Sequence, residues 1–445
     1  MVGPRGIGGP GGEEITAARA LSVGRAVASD GSDRVVVGRN ARATGAVLAD
    51  AVTAGLRECG ADVLAVGVAP TPTIARTVSR TDATAGIVVT AAHDSTSDDG
   101  LMLRTASGKA VSPEQRAAIA ARVERGEYDL HPRDGRGSTE TVADASERHV
   151  TELVEAVSVA DPPSVVVDVG DGAGEITARV LSALGCDVGT LHGRREEAVP
   201  GWPGEPVGEA FGALSSLVEA TDARLGIAHD GDADRMLAVD ETGAVVPRDV
   251  LLALFARATA TDGDIVVVPV GTSMAVDDAL ATVGVTVRRT QVGDTFVADC
   301  TTWPDVAFGG DPSGAWIWPD ETPSPDGPLA ACKLVELVAD RGPLSSLAAA
   351  IETYPSRRAS VAVEEQTAVM NQVRECAHEW YDDVDTLGGV YVDVGAGWLF
   401  LRASDTEPVI HLTVEARDEF RAERLEADAI GLLETAIATV SGLRP

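Results

Sequence analysis

The chain has 445 residues, enough for two to four domains that each bury a core of their own. It carries 69 Asp and Glu against 36 Lys and Arg, a formal charge of −33, and its lysines are Lys109 and Lys333 alone. So acidic a chain argues against nucleic acid and anionic membranes as partners. It is typical of a protein that works in concentrated salt, where screening relieves the repulsion between its carboxylates.

The charge predicts a fold that depends on salt. Diluting the buffer from about 1 M to about 0.01 M salt lengthens the Debye screening distance from about 3 Å to about 30 Å. Because 69 acidic side chains then repel one another over longer distances, we expect the protein to unfold at low ionic strength. Thermal unfolding followed by circular dichroism across a KCl series measures this directly. A midpoint that does not change with KCl would contradict the prediction.

The cysteines and the apolar segments indicate a compartment. The five cysteines are odd in number, scattered and without a Cys-x-x-Cys pair, which supports neither a disulfide framework nor a zinc site. The first ten residues lack the apolar centre of a signal peptide, and no uninterrupted apolar stretch has the length needed to span a bilayer. We therefore expect a protein of the reducing cytoplasm. The cysteines are Cys59, Cys186, Cys300, Cys332 and Cys376.

A strand, a helix and a second strand recur three times along the chain. Each copy begins with a Val-rich run, continues through a helix with apolar periodicity and passes a glycine before the next strand. The copies span residues 35–64, 165–188 and 265–287. Continuously apolar strands suit a sheet that is covered on both faces. The repeat predicts three similar α/β domains in series.

The remaining part of the chain has a different pattern. After Pro355 the sequence predicts a helix around Ala368, strands beginning near Gly389, Trp398 and Val409, and a last amphipathic helix. This is an α+β module. A Gly/Arg/Pro-rich run at 131–138 and a turn at 240–243 mark the earlier breaks. The predicted domains are 1–137, 138–240, 241–353 and 354–445, arranged around a central cleft.

Three aspartates at alternate positions form the most informative segment. Residues 230–235 read Asp-Gly-Asp-Ala-Asp-Arg and lie between two apolar strands. Alternate side chains of an extended or tightly turned loop project the same way, so Asp230, Asp232 and Asp234 can converge on one hard cation. Mg²⁺ prefers oxygen ligands of this kind, and without a cation the carboxylates would raise one another's pKa. The alternative is an acidic surface turn. No Glu follows at the spacing of an EF-hand.

Five polar loops carry a resemblance to a known family. Their order and spacing resemble those of the α-D-phosphohexomutases, the family of phosphoglucomutase, phosphomannomutase and phosphoglucosamine mutase. The resemblance covers nearly the whole chain. The loops read Val-Gly-Arg-Asn-Ala-Arg-Ala-Thr-Gly from Val37, Pro-Thr-Pro from Pro70 followed by Thr-Ala-Ala-His-Asp-Ser from Thr90, the acidic loop from Asp230, Phe-Gly-Gly-Asp-Pro-Ser-Gly from Phe308, and Arg-Ala-Ser-Asp-Thr-Glu-Pro from Arg402.

The resemblance implies a fold, a reaction and a set of residues. It implies four domains, three of them alike, and reversible transfer of a phosphoryl group between the 1- and 6-oxygens of a hexose phosphate through an enzyme phosphoserine. Asp230, Asp232 and Asp234 would hold Mg²⁺, with Arg235 beside them in the catalytic centre. The expected contacts to the sugar and its distal phosphate are Asp311, Ser313, Arg402, Ser404 and Thr406.

The chain departs from the family pattern where the chemistry would occur. The family's serine falls on Ala92, which has no oxygen to phosphorylate, and the expected lysine falls on Met102, whose thioether cannot carry a proton. His93 matches the pattern, but the Asn-Pro that follows it in the family is replaced by Asp94 and Ser95.

The substrate loops depart as well. Asp311 stands for a glutamate, Ala315 for a histidine, Asp405 for a glycine and His411 for an arginine. An added carboxylate at Asp405 repels a phosphate dianion. The family's N-terminal Gly-Ile-Arg-Gly is only loosely matched around Ile7.

Three functions are consistent with these residues. The first is a divergent mutase in which Ser95, or Asp94 through an acyl phosphate, replaces the missing serine. The second is a silent relative that binds Mg²⁺ and a hexose phosphate and acts as a regulator or as a subunit of an active paralogue. Besides the hexose phosphate, the expected partners are a second copy of the chain or such a paralogue. The third is a metal-dependent phosphatase in which His93 and Asp94 orient a water molecule.

Overall fold

Four β-sheets follow one another along the chain and confirm the predicted fold class of three α/β domains and a C-terminal α+β domain. The structure is a computed structural model, and it describes residues 2–3, 6–10, 13–90, 98–170, 173–192, 211–404 and 407–442. Among the described residues, none of the helices combines the length and the apolar character needed to cross a bilayer.

The first domain is built on a mixed seven-stranded sheet. Its elements are β1 (Val2–Gly3), β2 (Gly6–Pro10), α1 (Ala17–Ser29), β3 (Arg34–Arg39), α2 (Ala43–Glu58), β4 (Asp62–Val68), α3 (Thr71–Arg80), β5 (Ala85–Val89), β6 (Asp98–Thr105), α4 (Pro113–Arg125) and β7 (Thr139–Thr141). The strand order is β1-β2-β6-β5-β3-β4-β7. β3 pairs in parallel with β4 across α2, which forms the first predicted strand–helix–strand unit. Val35, Val36 and Val37 are all buried, as expected for a strand covered on both faces.

The edge strand β7 lies beyond the domain boundary predicted at residue 137. It pairs in parallel with β4, Val63 opposite Thr139, and the Ser138 carbonyl accepts a hydrogen bond from the Val63 amide at 3.0 Å. The first sheet therefore extends to Thr141, because the polar run that was predicted as a linker leads directly into a strand of the same sheet.

The second domain has a four-stranded sheet in the order β11-β10-β8-β9. Its elements are α5 (Ala145–Glu155), β8 (Ser164–Asp168), α6 (Glu175–Ala183), β9 (Asp187–Leu191), α7 (Gly212–Glu219), β10 (Leu225–His229) and β11 (Met236–Asp240). β8 and β9 are parallel across α6, as predicted, whereas β10 and β11 form an antiparallel hairpin. The turn of this hairpin is the acidic loop 230–235.

The third domain has a four-stranded sheet in the order β13-β12-β14-β15. Its elements are α8 (Arg248–Thr259), β12 (Ile265–Pro269), α9 (Met274–Ala281), β13 (Thr286–Thr290), α10 (Asp294–Cys300), β14 (Val306–Asp311), β15 (Ala315–Ile317), α11 (Gly327–Arg341) and α12 (Leu344–Ala349). β12 and β13 are parallel across α9, which is the third predicted unit.

The fourth domain is an antiparallel five-stranded sheet with two helices, in the order β16-β20-β19-β18-β17. Its elements are β16 (Ser356–Ala362), α13 (Gln366–Trp380), β17 (Val384–Asp385), β18 (Val390–Asp393), β19 (Gly397–Ala403), β20 (Val409–Ala416) and α14 (Glu419–Val440). The predicted helices and inner strands are present. The edge strand β16 was not predicted, because none of its residues is fully buried and its apolar signal is weak.

The hydrophobic cores show which domains are joined. One apolar cluster runs without interruption through the second and third domains and includes Leu153, Leu237, Leu251 and Leu334. The first and fourth domains have clusters of their own. The strands that flank the acidic loop, β10 and β11, therefore belong to a core that the second and third domains share, and the first domain contacts the loop through Thr71.

Candidate metal and substrate site

The three aspartates of the acidic loop converge. One carboxylate oxygen from each of Asp230, Asp232 and Asp234 lies within 4.8 Å of those of the other two. The three residues are 3%, 1% and 2% exposed. The alternative of an exposed acidic turn does not fit this burial, because carboxylates are rarely so buried without a positive partner or a metal.

The backbone of the loop is tightly wound. Ala233 is fully buried and has a φ of 56°, in the left-handed region that costs a non-glycine residue about 1 kcal/mol. Its amide donates to the Asp230 carbonyl at 3.1 Å, and the Arg235 amide donates to Asp230 Oδ1 at 3.2 Å. These bonds hold the loop in a shape that turns its carboxylates together.

His229, at the end of β10, supports the acidic loop through hydrogen bonds. Its Nδ1 donates to the Arg235 carbonyl at 2.8 Å, since a carbonyl can only accept, and its Nε2 accepts from Thr177 Oγ1 at 2.8 Å. Burial lowers the pKa of His229 and keeps the ring neutral, which suits this pair of hydrogen bonds. His229 thus ties the two ends of the loop together. This supporting role was not predicted from the sequence.

The first domain contributes the start of helix α3. The Thr71 amide donates to the Asp232 carbonyl at 3.0 Å, and Thr71 Oγ1 donates to Asp232 Oδ2 at 2.7 Å. The positive end of the helix dipole therefore lies against the acidic loop. A cavity of about 130 Å³ between the first two domains reaches this point, and its lining includes Asn40, Arg179 and Asp232.

The electrostatics of the loop fit a divalent cation. Burial raises the pKa of Asp230, and burial together with the charges of Asp234 and Asp230 raises the pKa of Asp232 well above its usual value. Arg235 Nε lies 3.8 Å from Asp230 Oδ2. Oδ1 of Asp232 is buried and has no hydrogen-bond partner among the described residues. Clustered carboxylate oxygens with an unused lone pair are the donor set that Mg²⁺ takes.

The predicted sugar loop, residues 308–314, lies against the acidic loop. Asp311 ends β14 and is 7% exposed, and its Oδ1 accepts from the Ser313 amide at 2.8 Å. Arg235 pairs with Ala315 in an antiparallel bridge, and the Met236 amide donates to the Gly314 carbonyl at 2.9 Å. The structure thus brings Asp311 and Ser313 to the loop that carries Arg235.

The predicted phosphate loop, the segment that begins at Arg402, lies in the fourth domain. Arg402 is on β19 and pairs in register with His411. The Ser404 amide donates to the Val409 carbonyl at 2.9 Å, and Ser404 Oγ accepts from the Glu407 amide at 3.2 Å. These bonds close the loop between β19 and β20. Thr406, with its neighbour Asp405, lies outside the described residues.

The predicted nucleophile loop also lies outside the described residues. This loop, 91–97, contains Ala92, His93, Asp94 and Ser95. The flanking positions are described. The Thr90 amide donates to the Gly100 carbonyl at 3.0 Å, and Asp99 Oδ1 accepts from Thr44 Oγ1 at 3.0 Å. The two flanks of the loop thus lie beside each other, between β5 and β6 and next to the segment that begins at Val37.

Met102 occupies an apolar environment. It is 6% exposed and packs in a cluster with Val36, Leu64, Ile74 and Val88. The position that the resemblance gives to a lysine is therefore lined by hydrocarbon in this chain.

A buried arginine of the same strand was not predicted. Arg104 is 5% exposed, and its Nη1 donates to Ser324 Oγ at 3.1 Å. Its charge acts to lower the pKa of Asp232, against the larger effect of burial. The sequence signal from which it could have been predicted is an arginine at the end of the apolar run Leu-Met-Leu-Arg.

Comparison with known proteins agrees with this architecture. Four domain families match in order, each described as phosphoglucomutase/phosphomannomutase: alpha/beta/alpha domain I over residues 1–129, domain II over 147–243, domain III over 247–354 and the C-terminal domain over 359–432. A probable phosphoglucosamine mutase of Methanothermobacter thermautotrophicus is 36% identical, with 98% of each chain covered.

Solved structures give the same result. A phosphoglucomutase/phosphomannomutase family protein of Burkholderia thailandensis superposes with a TM-score of 0.87 at 26% identity, covering 98% of each chain. The N-acetylphosphoglucosamine mutase of Aspergillus fumigatus, solved with GlcNAc-6P and magnesium, shares the fold at a TM-score of 0.62 and 13% identity, over 98% of this chain and 96% of that one. The chain belongs to the phosphoglucomutase/phosphomannomutase family, the α-D-phosphohexomutases.

Proposed function

We propose that this chain binds Mg²⁺ and a hexose phosphate between its domains but does not carry out the phosphoserine cycle of its family. One contrast carries the proposal. The three carboxylates of the acidic loop are intact, buried and braced, whereas the position of the base, Met102, is embedded in hydrocarbon. The metal-binding half of a phosphotransfer site is kept and the proton-transferring half is gone.

The chemistry explains why that contrast matters. Phosphoryl transfer through the enzyme needs an oxygen that can carry the phosphoryl group and a group that exchanges a proton with the sugar hydroxyl. Ala92 and Met102 supply neither. A bound Mg²⁺ supplies charge neutralisation for phosphate oxygens. The residues proposed to hold it are Asp230, Asp232 and Asp234, with Arg235 beside them.

The ligand we propose is a glucosamine phosphate. The relative from Methanothermobacter is named as a probable phosphoglucosamine mutase, and 98% of this chain aligns with it. Asp311 and Ser313 lie beside Arg235 and are the proposed contacts to the sugar. Arg402, Ser404 and Thr406 are the proposed contacts to the distal phosphate.

A divergent active mutase is the second candidate. It is favoured by the full-length similarity to a protein named as a mutase and by the intact acidic loop with its arginine. In this reading Ser95 or Asp94 takes the phosphoryl group. Chemistry from a displaced atom is slow, because a misplacement of about 1 Å costs about 100-fold in rate.

Ligand-dependent unfolding in concentrated KCl tests the proposal. Mg²⁺ with glucosamine 6-phosphate is expected to raise the unfolding midpoint. A ligand at 100 times its Kd increases the free energy of unfolding by about 2.7 kcal/mol. Glucosamine without a phosphate is the control and is expected to have little effect. We expect no isomerisation of the sugar phosphate and no added mass on the protein after incubation with glucose 1,6-bisphosphate.

Each other outcome selects a different function. Isomerisation, or a phosphorylated protein, selects the mutase. Release of inorganic phosphate that is lost in Asp232→Ala selects a metal-dependent phosphatase. Absence of stabilisation by Mg²⁺ and sugar phosphate together would refute the binding proposal.

A further inference from the structure

A short segment of the third domain touches both the first domain and the acidic loop. Residues 324–327, Ser-Pro-Asp-Gly, follow β15 and lead into helix α11. Asp326 caps that helix, since its Oδ1 accepts from the Leu329 amide at 3.0 Å. Ser324 and Asp326 are each 1% exposed. We call this segment the connector.

Two arginines of the first domain bind the connector. Arg76, on α3, donates from Nε to Asp326 Oδ2 at 2.7 Å, and Arg104, on β6, donates to Ser324 Oγ at 3.1 Å. Arg76 and Arg104 are both 5% exposed. Burial raises the pKa of Asp326, but the charge of Arg76 and the hydrogen bond from His149 outweigh it and hold that pKa below its ordinary value. Asp326 is therefore a buried carboxylate paired with a buried guanidinium.

The second domain reaches the same carboxylate. His149, on α5, is fully buried, and burial lowers its pKa so that the ring is neutral. Its Nε2 donates to Asp326 Oδ2 at 3.1 Å, and its Nδ1 accepts from Thr73 Oγ1 at 2.8 Å. Three domains thus meet at Asp326. Removing one partner of a buried charge pair leaves the other charge buried without compensation, which is strongly destabilising.

The connector also holds the acidic loop directly. The Gly327 amide donates to the Ala233 carbonyl at 3.2 Å. The approach is so close that a Cβ at position 327 would lie 2.7 Å from the carbonyl oxygens of both Ala233 and Arg235. Helix α3 contacts both the connector and the acidic loop, because Arg76 on this helix binds Asp326 while Thr71 at its start binds Asp232. The connector thus binds the acidic loop at Ala233, and helix α3 binds it at Asp232. The Arg76–Asp326 pair joins the connector to the helix.

We propose that Arg76 and Asp326 are positioning residues for the acidic loop, so that packing of the first domain onto the third sets the geometry of the carboxylates. The inference rests on the proposed function where it concerns the metal. Metal affinity and the packing of the two domains are then coupled, and the coupling is reciprocal.

Hydrogen exchange of the metal-free protein tests the positioning without reference to the metal. In Asp326→Asn the peptides that contain the Ala233 and Arg235 amides are expected to exchange at least about tenfold faster, while peptides of α14 keep their rates. Leu433→Ala, a core truncation in α14, is the matched control and is expected to do the reverse. Ser324→Ala removes only the bond from Arg104 and keeps the test usable if Asp326→Asn does not fold. It is expected to act in the same direction, more weakly.

Binding of Mn²⁺, used as the probe ion, gives the second readout. Asp326→Asn is expected to weaken Mn²⁺ binding at least tenfold below its unfolding temperature, with Leu433→Ala unchanged. If native protein does not bind Mn²⁺ and the exchange result still holds, the metal proposal fails and the positioning role stands. Exchange of the acidic loop at native rates in both connector variants would overturn the positioning role, as would equal acceleration by Leu433→Ala.

Discussion

Replacing Asp232 with asparagine is expected to abolish divalent binding and to stabilise the metal-free protein. Asp232 is the most buried of the three aspartates at 1% exposed, and burial and two neighbouring carboxylates disfavour its charge. Removing that charge deletes a ligand, so we expect affinity to fall by more than the 10–100-fold typical of residues that merely support a site. The metal-free fold should be stabilised, because an uncharged amide at this position removes the buried charge and its repulsion from the neighbouring carboxylates. Titration calorimetry with Mg²⁺ and thermal unfolding in EDTA measure the two effects.

The control is a buried aspartate that has its own partners. Asp240 ends β11 and accepts three hydrogen bonds at one oxygen, from the Thr242 amide and hydroxyl and from the Ala244 amide. Asp240→Asn is expected to leave Mg²⁺ affinity unchanged and to lower the midpoint in EDTA, because it weakens bonds to an ionised acceptor. An Asp232→Asn protein that binds Mg²⁺ as the native chain does would refute the metal assignment.

The same carboxylate predicts a pH dependence of the metal-free protein. The folded-state pKa of Asp232 is raised above its unfolded value of about 3.9, so its contribution to stability is fully present below that pH. The contribution is lost as pH rises through the folded pKa. In EDTA the native midpoint should therefore fall with rising pH relative to that of Asp232→Asn. Identical pH profiles of the two proteins would contradict this.

Local pattern predicted the elements that line the site. Runs such as Val35–Val37 identified the buried strands, and the alternation of Asp230, Asp232 and Asp234 placed three carboxylates on one side of a loop, because period-2 spacing acts within a few residues. The three strand–helix–strand units followed from the same kind of signal.

Contacts between domains were beyond local pattern. Thr71 and Asp232 are 161 positions apart, and Arg76 and Asp326 are 250 apart. No periodicity in the sequence predicts either pair, because each contact depends on how the folded domains pack against one another. The burial of Met102 could not be predicted from the sequence for a similar reason. The resemblance to the family placed this side chain at the reaction centre, whereas packing of α3 on the sheet encloses it in hydrocarbon.

The burial of Met102 determines which of the two missing groups, the nucleophile or the acid/base group, a substitution can restore. A lysine at position 102 would place an ammonium among Val36, Ile74 and Val88, where desolvation lowers its pKa and destabilises the fold. A serine at position 92 changes one side chain by a single oxygen. We therefore expect the nucleophile to be the simpler of the two to return.

Ala92→Ser is expected to take up a phosphoryl group from glucose 1,6-bisphosphate, where the native chain takes none. The substitution returns an oxygen to the position that the family phosphorylates, and the three carboxylates of the acidic loop already converge. Isomerisation should stay slow, because the absent acid/base group alone accounts for about 10²–10⁴-fold in rate. Intact-mass analysis after incubation with Mg²⁺ and the bisphosphate in concentrated KCl measures the uptake. Ala92→Ser combined with Asp232→Asn is the control and should remain unmodified, and Ser95→Ala should match the native chain. If native protein is phosphorylated and Ser95→Ala abolishes it, the divergent mutase is correct and the silent binder is not.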